Sequence, residues 1–175
     1  MKNMNRRVCL LISLLLCILF TACGNTEKQK EQCAEQFLRA CFTLNKDHRF
    51  DVLEQATEEA LPQLTADSGE LQAVPSEIYD AYYQGLKEIT TEDCLASLEQ
   101  NRIPGSYDRL LADAGLTARI DTIGLTPAGD GAYTFAITYD SDQVNTLLNA
   151  PITGQVTVRE ENGTVLVCAL RIDSK

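Results

Sequence analysis

The chain has 175 residues and is acidic, with 25 aspartates and glutamates against 15 lysines and arginines and a net charge of −10. This length suits one domain with a proper hydrophobic core and is short for two. The negative charge argues against binding to nucleic acid and against electrostatic adhesion to anionic lipid. A single histidine, His48, excludes a zinc site built from several histidines.

The first 22 residues have the composition of an export signal. Three basic residues and no acid precede an apolar run of 15 residues, from Val8 to Ala22. A transmembrane helix needs about 20 apolar residues, so this run is short for a membrane span. The pattern therefore predicts a signal peptide that is removed on export.

The end of the apolar run, LFTACG at positions 19–24, resembles the lipobox of bacterial lipoproteins. The resemblance implies that diacylglycerol alkylates the thiol of Cys23 and that the signal is cleaved between Ala22 and Cys23. It also implies a lipid-anchored protein on the extracytoplasmic face of a bacterial cell membrane. Phe20 departs from the lipobox pattern, in which an aliphatic residue is usual. The alternative is that Cys23 is one more small apolar residue of the signal.

These observations divide the chain into a signal peptide (1–22), a lipidated cysteine with a polar tether (23–30) and a single α+β domain (31–175). Removing residues 1–22 takes away three basic residues and no acid, so the net charge falls from −10 to −13. The expected lipid must then hold the protein on the membrane, because charge does not.

Two helices are predicted at the start of the domain. Apolar residues recur at three-to-four spacing in residues 29–45 and again in 50–60. Pro62 is expected to end or kink the second helix, since proline lacks the N–H that a helix uses. The stretch TADSGE at 65–70 is a predicted loop.

Three shorter helices are predicted next. Ser76 is expected to cap one that continues to Leu86. Thr91, followed by two acids, is expected to begin another that Pro104-Gly105 closes. Ser106 begins the last, which Gly115 stops as a left-handed cap.

After Gly115 the apolar period changes to two, which predicts strands near 118–127, 132–140, 152–160 and 164–172. GDG at 129–131 and NG at 162–163 have the residues of hairpin turns. Helices followed by four antiparallel strands indicate an α+β fold. The face on which the first helix lies is expected to come from Val156, Val158, Leu166, Cys168, Leu170 and Ile172.

The segments EQCAEQFLRACFTLNKDHRF (31–50) and CLASLEQNRIPGSYDRL (94–110), with the closing sheet, resemble NTF2-like (cystatin-like) domains. The resemblance implies N-terminal helices packed on a curved four-stranded antiparallel sheet that together form a cone. Family members use the cone to bind small molecules, to mate with a second subunit or, in a minority, for catalysis. They place a strand or hairpin between the early helices, and the sequence shows none in 62–76.

Four residues are candidates to line a pocket in such a cone, namely Tyr82, Tyr83, Arg102 and Tyr107. Tyrosine and arginine combine apolar bodies with polar tips, which suits a binding site. A structural role is the alternative for each residue. For Arg102 that alternative is a bond to the carbonyls at the end of the fourth helix.

Four cysteines, Cys33, Cys41, Cys94 and Cys168, fall in the domain, and they allow three disulfide pairings. Cys33 and Cys41 are eight residues apart on one helix, about 12 Å along its axis, so they cannot bridge. We expect four free thiols, with Cys41 and Cys168 buried between the first helix and the sheet. Disulfides are the alternative that export permits.

The sequence contains no CxxC, GxSxG, HExxH, P-loop or GxGxxG motif. His48 lies in a polar segment and is expected at the surface. Asp140 and Asp142 could bind calcium weakly, but acids at a hairpin tip are usually solvated. We therefore expect no metal and no cofactor.

The function expected from the sequence is a noncatalytic binding or assembly module on a membrane anchor. Its expected partners are the membrane, through the lipid on Cys23, and an envelope protein or a small-molecule ligand. A small hydrolase-like envelope enzyme that uses the cone pocket is one alternative. A self-associating domain that forms a homodimer is another.

Overall fold

The computed structural model describes residues 26–64 and 76–173. Within these residues the fold is α+β, with six α-helices and a four-stranded antiparallel sheet, which confirms the predicted class. The predicted signal peptide, Cys23 and the predicted loop at 65–70 lie outside the described residues. No helix in the described part of the chain is long and apolar enough to cross a bilayer.

Among the residues that the structure describes, five helices precede the sheet and a sixth interrupts it. The helices and strands, in chain order, are α1 (26–42), α2 (Arg49–Leu64), α3 (Ser76–Lys87), α4 (Glu92–Gln100), α5 (Gly105–Asp113), β1 (Ile120–Gly129), β2 (Ala132–Tyr139), α6 (Asp142–Leu147), β3 (Ile152–Glu161) and β4 (Thr164–Ile172). A 3-10 turn, Lys46–His48, joins α1 to α2. Each strand pairs with its neighbour in sequence, so the sheet order is β1-β2-β3-β4.

The core lies between α1 and one face of the sheet. The apolar stripe of α1 is buried as the spacing predicts, and it consists of Cys33, Ala34, Phe37, Leu38, Cys41 and Phe42. The alternate residues Tyr133, Phe135, Ile137 and Tyr139 of β2 are buried against it. Burial of each large apolar side chain contributes about 1.5–3 kcal/mol, so this contact is the main source of stability.

Gly154 in β3 makes room for the Phe135 ring on this face. It is the register partner of Phe135, and a Cβ at Gly154 would lie 2.8 Å from the Phe135 ring. The Phe135 ring contacts the ring of Phe42 in α1, and the two ring centroids are 6.0 Å apart. The small residue in β3 therefore allows an aromatic contact between sheet and helix.

Helix α1 begins earlier than the sequence indicated. Residues 26–30, predicted as part of the tether, are helical, and Lys30 Nζ pairs with Glu27 Oε1 at 2.9 Å. The Tyr133 hydroxyl donates to the carbonyl of Glu27 at 3.4 Å. This first turn was not predicted, because its side chains are polar and show no apolar periodicity.

Two helix ends also differ from prediction. Helix α2 does not end before Pro62 and continues to Leu64, two residues beyond the proline that was expected to end or kink it. Helix α4 ends at Gln100, before Pro104-Gly105. Gly115 stops α5 as predicted, with φ of +66° and a bond from Leu116 N to Leu111 O of 2.8 Å.

Helix α6 was not predicted and stands between β2 and β3. The hydroxyl of Ser141 caps it by accepting from the N–H of Val144 at 3.4 Å. The Asn145 amide bonds both backbone groups of Tyr139, at 2.9 and 2.7 Å. Asp140 and Asp142 therefore belong to a helix start, where acids are favoured, and not to a hairpin tip.

A β-bulge in β4 changes which residues face the core. Thr157 pairs with Ala169 and Val158 with Val167, so Cys168 is the extra residue. Val167 is fully buried, whereas Leu166 and Cys168 are half-buried. The prediction of one continuous face was wrong at Leu166 and Cys168, because an alternating pattern does not reveal a bulge. Leu170 and Ile172 pack against the core as predicted.

The segment before α4 pairs with this bulge. The N–H of Thr91 donates to the carbonyl of Val167 at 2.9 Å, and the N–H of Val167 donates to the carbonyl of Ile89 at 2.9 Å. Thr90 thus forms an isolated parallel bridge with Val167. The outer edge of β4 is covered at this point, and α4 is placed beside it.

Candidate functional site

An open groove of about 940 Å³ runs between helices α2, α3 and α5 and the end of α4. Its floor is apolar and aromatic and is formed by Phe50, Leu53, Tyr82, Tyr83 and Leu110. Its rim is charged and is formed by Glu54, Glu58, Glu99, Arg102, Arg109 and Asp113. We call this surface the helical groove. Its size matches the range of small-molecule and peptide sites.

The helical groove brings together three of the four pocket residues that the sequence suggested. Tyr82, Tyr83 and Arg102 all line it. Tyr107 instead turns toward α1 and meets Phe42 edge-on, with the ring centroids 5.9 Å apart. The bond proposed for Arg102 at the end of α4 is made by Asn101, whose Nδ2 donates to the Ser97 carbonyl at 2.7 Å.

Beneath the groove lies a fully buried carboxylate, Asp108 of α5. It accepts from the backbone N–H of Asn45 at 2.6 Å and from Arg49 Nε and Nη2 at 2.6 and 3.1 Å. The hydroxyl of Tyr82 also donates to it. We call these four residues the Asp108 cluster. Four donors converge on two oxygens, which offsets the cost of burying the charge.

Asn45 stabilises the turn between α1 and α2, which places Arg49 beside Asp108. Its backbone is left-handed, with φ of 46°, a conformation that asparagine tolerates better than most residues. Its side-chain Nδ2 donates to the Leu116 carbonyl at 2.9 Å, and its Oδ1 accepts from the N–H of Phe50 at 3.5 Å. The turn between α1 and α2 is thereby tied to the segment that leads into β1.

The protonation states in the cluster suit these contacts. Burial alone would lower the pKa of Arg49, but the hydrogen bond and charge of Asp108 raise it above the ordinary value. Burial, with the nearby charge of Asp108, raises the pKa of the Tyr82 phenol. Arg49 also lies over the Tyr82 ring, 5.1 Å from its centroid. The cluster is therefore a charged arginine and a neutral phenol that both donate to one carboxylate.

Sequence reasoning missed Asp108, Arg49 and Asn45. Asp108 lies three residues before the buried Leu111 and therefore on the same face of α5. An acid within the apolar stripe of a helix was the signal that could have identified it. Its partners are 59 and 63 residues away, and spacing along the chain does not indicate them.

Other candidate residues stay outside the groove lining. His48 is exposed, and its Nδ1 lies 3.1 Å from a carboxylate oxygen of Asp51. In the part of the chain that the structure describes, no three histidine, cysteine or acidic side chains lie close enough to hold a metal ion. Cys23 and Ala22, the predicted lipidation and cleavage residues, fall outside the described residues.

Two tyrosines allow a matched test of the buried polar contacts. The Tyr82 hydroxyl donates to Asp108, whereas the buried Tyr139 hydroxyl has no hydrogen-bond partner among the described residues. We expect Tyr82→Phe to lower the free energy of unfolding by about 1–3 kcal/mol, because a buried charge loses a donor. Tyr139→Phe should leave it unchanged or raise it by up to about 1 kcal/mol.

Urea titrations followed by circular dichroism measure both values. Equal losses in the two variants would show that the hydrogen bond from the Tyr82 hydroxyl to Asp108 does not stabilise the fold.

The candidate site thus consists of the helical groove, with its charged rim, and the Asp108 cluster beneath it. The supporting residues come from the α1–α2 turn and from α2, α3 and α5, so the groove floor is held by long-range contacts. Comparison of this chain with protein-family models, curated proteins and solved structures finds no match.

Proposed function

We propose that this protein is a lipid-anchored extracytoplasmic module that binds a partner through the helical groove and catalyses no reaction. The observation that carries the proposal is the burial of Asp108 and the occupation of its oxygens by hydrogen bonds. Asp108 is the fully buried carboxylate beneath the groove, and its oxygens are engaged by Asn45, Arg49 and Tyr82. A general base needs a free lone pair that faces the substrate, and Asp108 offers none.

The remaining carboxylates of the groove support a binding role. Glu54, Glu58, Glu99 and Asp113 stand on the rim and are exposed to solvent. Carboxylates that work as general acids are found in apolar surroundings that favour the protonated form. Exposed rim carboxylates instead suit recognition of a charged ligand.

The charge of the rim favours a ligand with a cationic group. Four carboxylates stand against the two guanidinium groups of Arg102 and Arg109, so the formal charge of the rim is −2. The floor offers aromatic and aliphatic surface. We infer that the ligand combines an apolar body with a positive charge, as a basic amphipathic segment of an envelope protein does.

The lipid anchor rests on the sequence. LFTACG at 19–24 supports lipidation of Cys23, and the apolar run before it supports export. Diacylglycerol brings two acyl chains, which is enough for stable anchoring. Since helix α1 is described from residue 26, the tether between Cys23 and the helix spans at most about 10 Å.

We also propose an NTF2-like scaffold. The order of elements supports it, with helices before a four-stranded antiparallel sheet whose one face packs on α1. The groove departs from the family cone, because its lining residues come from helices and the turns between them and not from the concave face of the sheet. A fold of this kind does not by itself imply an activity.

Binding in the groove can be measured with a single tryptophan, because the chain contains none. Leu110 lines the groove and is 47% exposed, so Leu110→Trp places a fluorophore on its floor. We expect a short amphipathic peptide of leucine and lysine to shift the emission of this variant saturably. A leucine and glutamate counterpart should not, because the rim repels it.

The control places the same fluorophore outside the groove. Val52 is 63% exposed on α2 and is not a lining residue, so Val52→Trp should not respond. Glu54→Lys combined with Glu58→Lys in the Leu110→Trp background should weaken binding of the basic peptide. A response that is the same for both peptides, or for both tryptophan positions, would contradict the proposal.

A further inference from the structure

Two of the four described cysteines share one small cleft. Cys94 of α4 and Cys168 of β4 line a space of about 100 Å³ with Leu98, Ile103 and Leu170. Cys94 is buried, whereas Cys168 is half-buried and so can be reached from solvent. Both are free thiols in the structure. The cleft is separate from the helical groove and shares no residue with it.

Backbone hydrogen bonds connect the segments that carry these two cysteines. The N–H of Thr91 donates to the carbonyl of Val167, the residue immediately before Cys168. The hydroxyl of Thr91 in turn accepts from the N–H of Cys94 at 3.3 Å, as the cap of α4. Cys94 is thus fixed in the first turn of a helix whose start is pinned to the strand bulge that carries Cys168.

We propose that Cys94 and Cys168 form a redox pair that closes to a disulfide when an external disulfide oxidises it. The half-buried Cys168 attacks as a thiolate and forms a mixed disulfide, and one thiol of the oxidant leaves. Cys94 loses its proton and attacks the Cys168 sulfur, and the second thiol of the oxidant leaves. Two electrons and two protons pass from the pair to the oxidant, which becomes two thiols.

The environments of the thiols support this order. Burial, with the proximity of Cys168, raises the pKa of the Cys94 thiol to about 11. Cys94 is therefore a poor nucleophile until the half-buried Cys168, which solvent reaches first, has reacted. The disulfide would join α4 to β4 across the bulge, where backbone bonds already hold them together.

The other two cysteines are poorly placed to compete. Cys41 is fully buried, and burial raises the pKa of its thiol far above the ordinary value. Cys33 is buried, and its Sγ donates to the Val165 carbonyl at 3.4 Å. The Cys168 Sγ donates to the Thr157 carbonyl at the same distance, but Cys168 is the more exposed of the two. Cys33 and Cys41 lie eight residues apart on α1, about 12 Å along the axis, so they cannot pair with each other.

Mass spectrometry of the full chain in mild detergent tests the proposal. The protein is incubated with oxidised glutathione over a range of redox potentials, alkylated and digested with trypsin. Each of the four cysteines falls in its own tryptic peptide, with Cys94 in 88–102 and Cys168 in 160–171. We expect these two peptides to be recovered as one linked species, lighter than their sum by two hydrogen atoms.

Single variants show the order of the steps. In Cys94→Ser, Cys168 should be recovered with glutathione attached, because the resolving thiol is missing. In Cys168→Ser, Cys94 should be recovered alkylated after unfolding and free of glutathione. Recovery of Cys94 and Cys168 as separate alkylated peptides from the oxidised wild-type protein would overturn the proposal, as would either one linked to Cys33 or Cys41. None of these outcomes depends on the groove or on the lipid.

Discussion

Replacing Asp108 by alanine should destabilise the domain by about 3–5 kcal/mol, because it breaks a buried ion pair. The substitution leaves the partly buried Arg49 guanidinium, 24% exposed, without its carboxylate. It also leaves the N–H of Asn45 and the Tyr82 hydroxyl without an acceptor. The loss of stability comes from buried polar groups that are left without partners. It is much larger than the loss expected from removing a small side chain alone.

Urea unfolding followed by circular dichroism measures this change. Asp113→Ala is the matched control, because Asp113 lies on the same helix, is 69% exposed and stands 3.9 Å from Arg109. We expect that control to change stability by no more than about 0.5 kcal/mol. Asp108→Asn should fall between the two, since it keeps an acceptor and loses the charge. Similar losses for Asp108→Ala and Asp113→Ala would show that the cluster does not hold the helices together.

Cys23→Ser should abolish lipid attachment and leave the fold intact. Lipidation needs a sulfur nucleophile at position 23, and a hydroxyl does not replace it. The fold should survive because Cys23 precedes the described helix α1 and the core begins at Cys33. The variant should lose its anchor, either as an uncleaved precursor or as a soluble product of cleavage near Ala22.

Metabolic labelling with a fatty-acid analogue, together with membrane fractionation, measures this effect. Cys17→Ser provides the control, because Cys17 lies inside the apolar run and should not carry lipid. That variant should keep its label and its membrane fraction. If wild type and Cys23→Ser incorporate the same amount of label, the lipoprotein proposal has to be withdrawn.

The sheet could be predicted closely because its signals are local. GDG at 129–131 and NG at 162–163 adopt the positive φ angles that hairpin turns need, and the strands beside them alternate with period two. Thr91 caps α4 as its sequence suggested. Residues within a few positions of one another decide these features, so the sequence alone reveals them.

The features that escaped prediction depend on distant contacts or on very short segments. Helix α6 has six residues, too few to show a helical period. The bulge at Cys168 depends on pairing with β3 and on the bridge from Thr90. The Asp108 cluster joins three helices and a turn. Tyr82 was predicted as a pocket residue from its chemistry, and its role as a donor to Asp108 became visible only in three dimensions.

Helix α1 acts as a spacer of fixed length if Cys23 carries the anchor. Its 17 described residues rise by about 25 Å, from the Tyr133 side of the sheet to the turn at Asn45. The groove, near the far end of α1, is then confined to a limited distance from the bilayer, so a partner must present its binding segment within that distance. Inserting residues between Cys23 and α1 would change that distance without changing the groove.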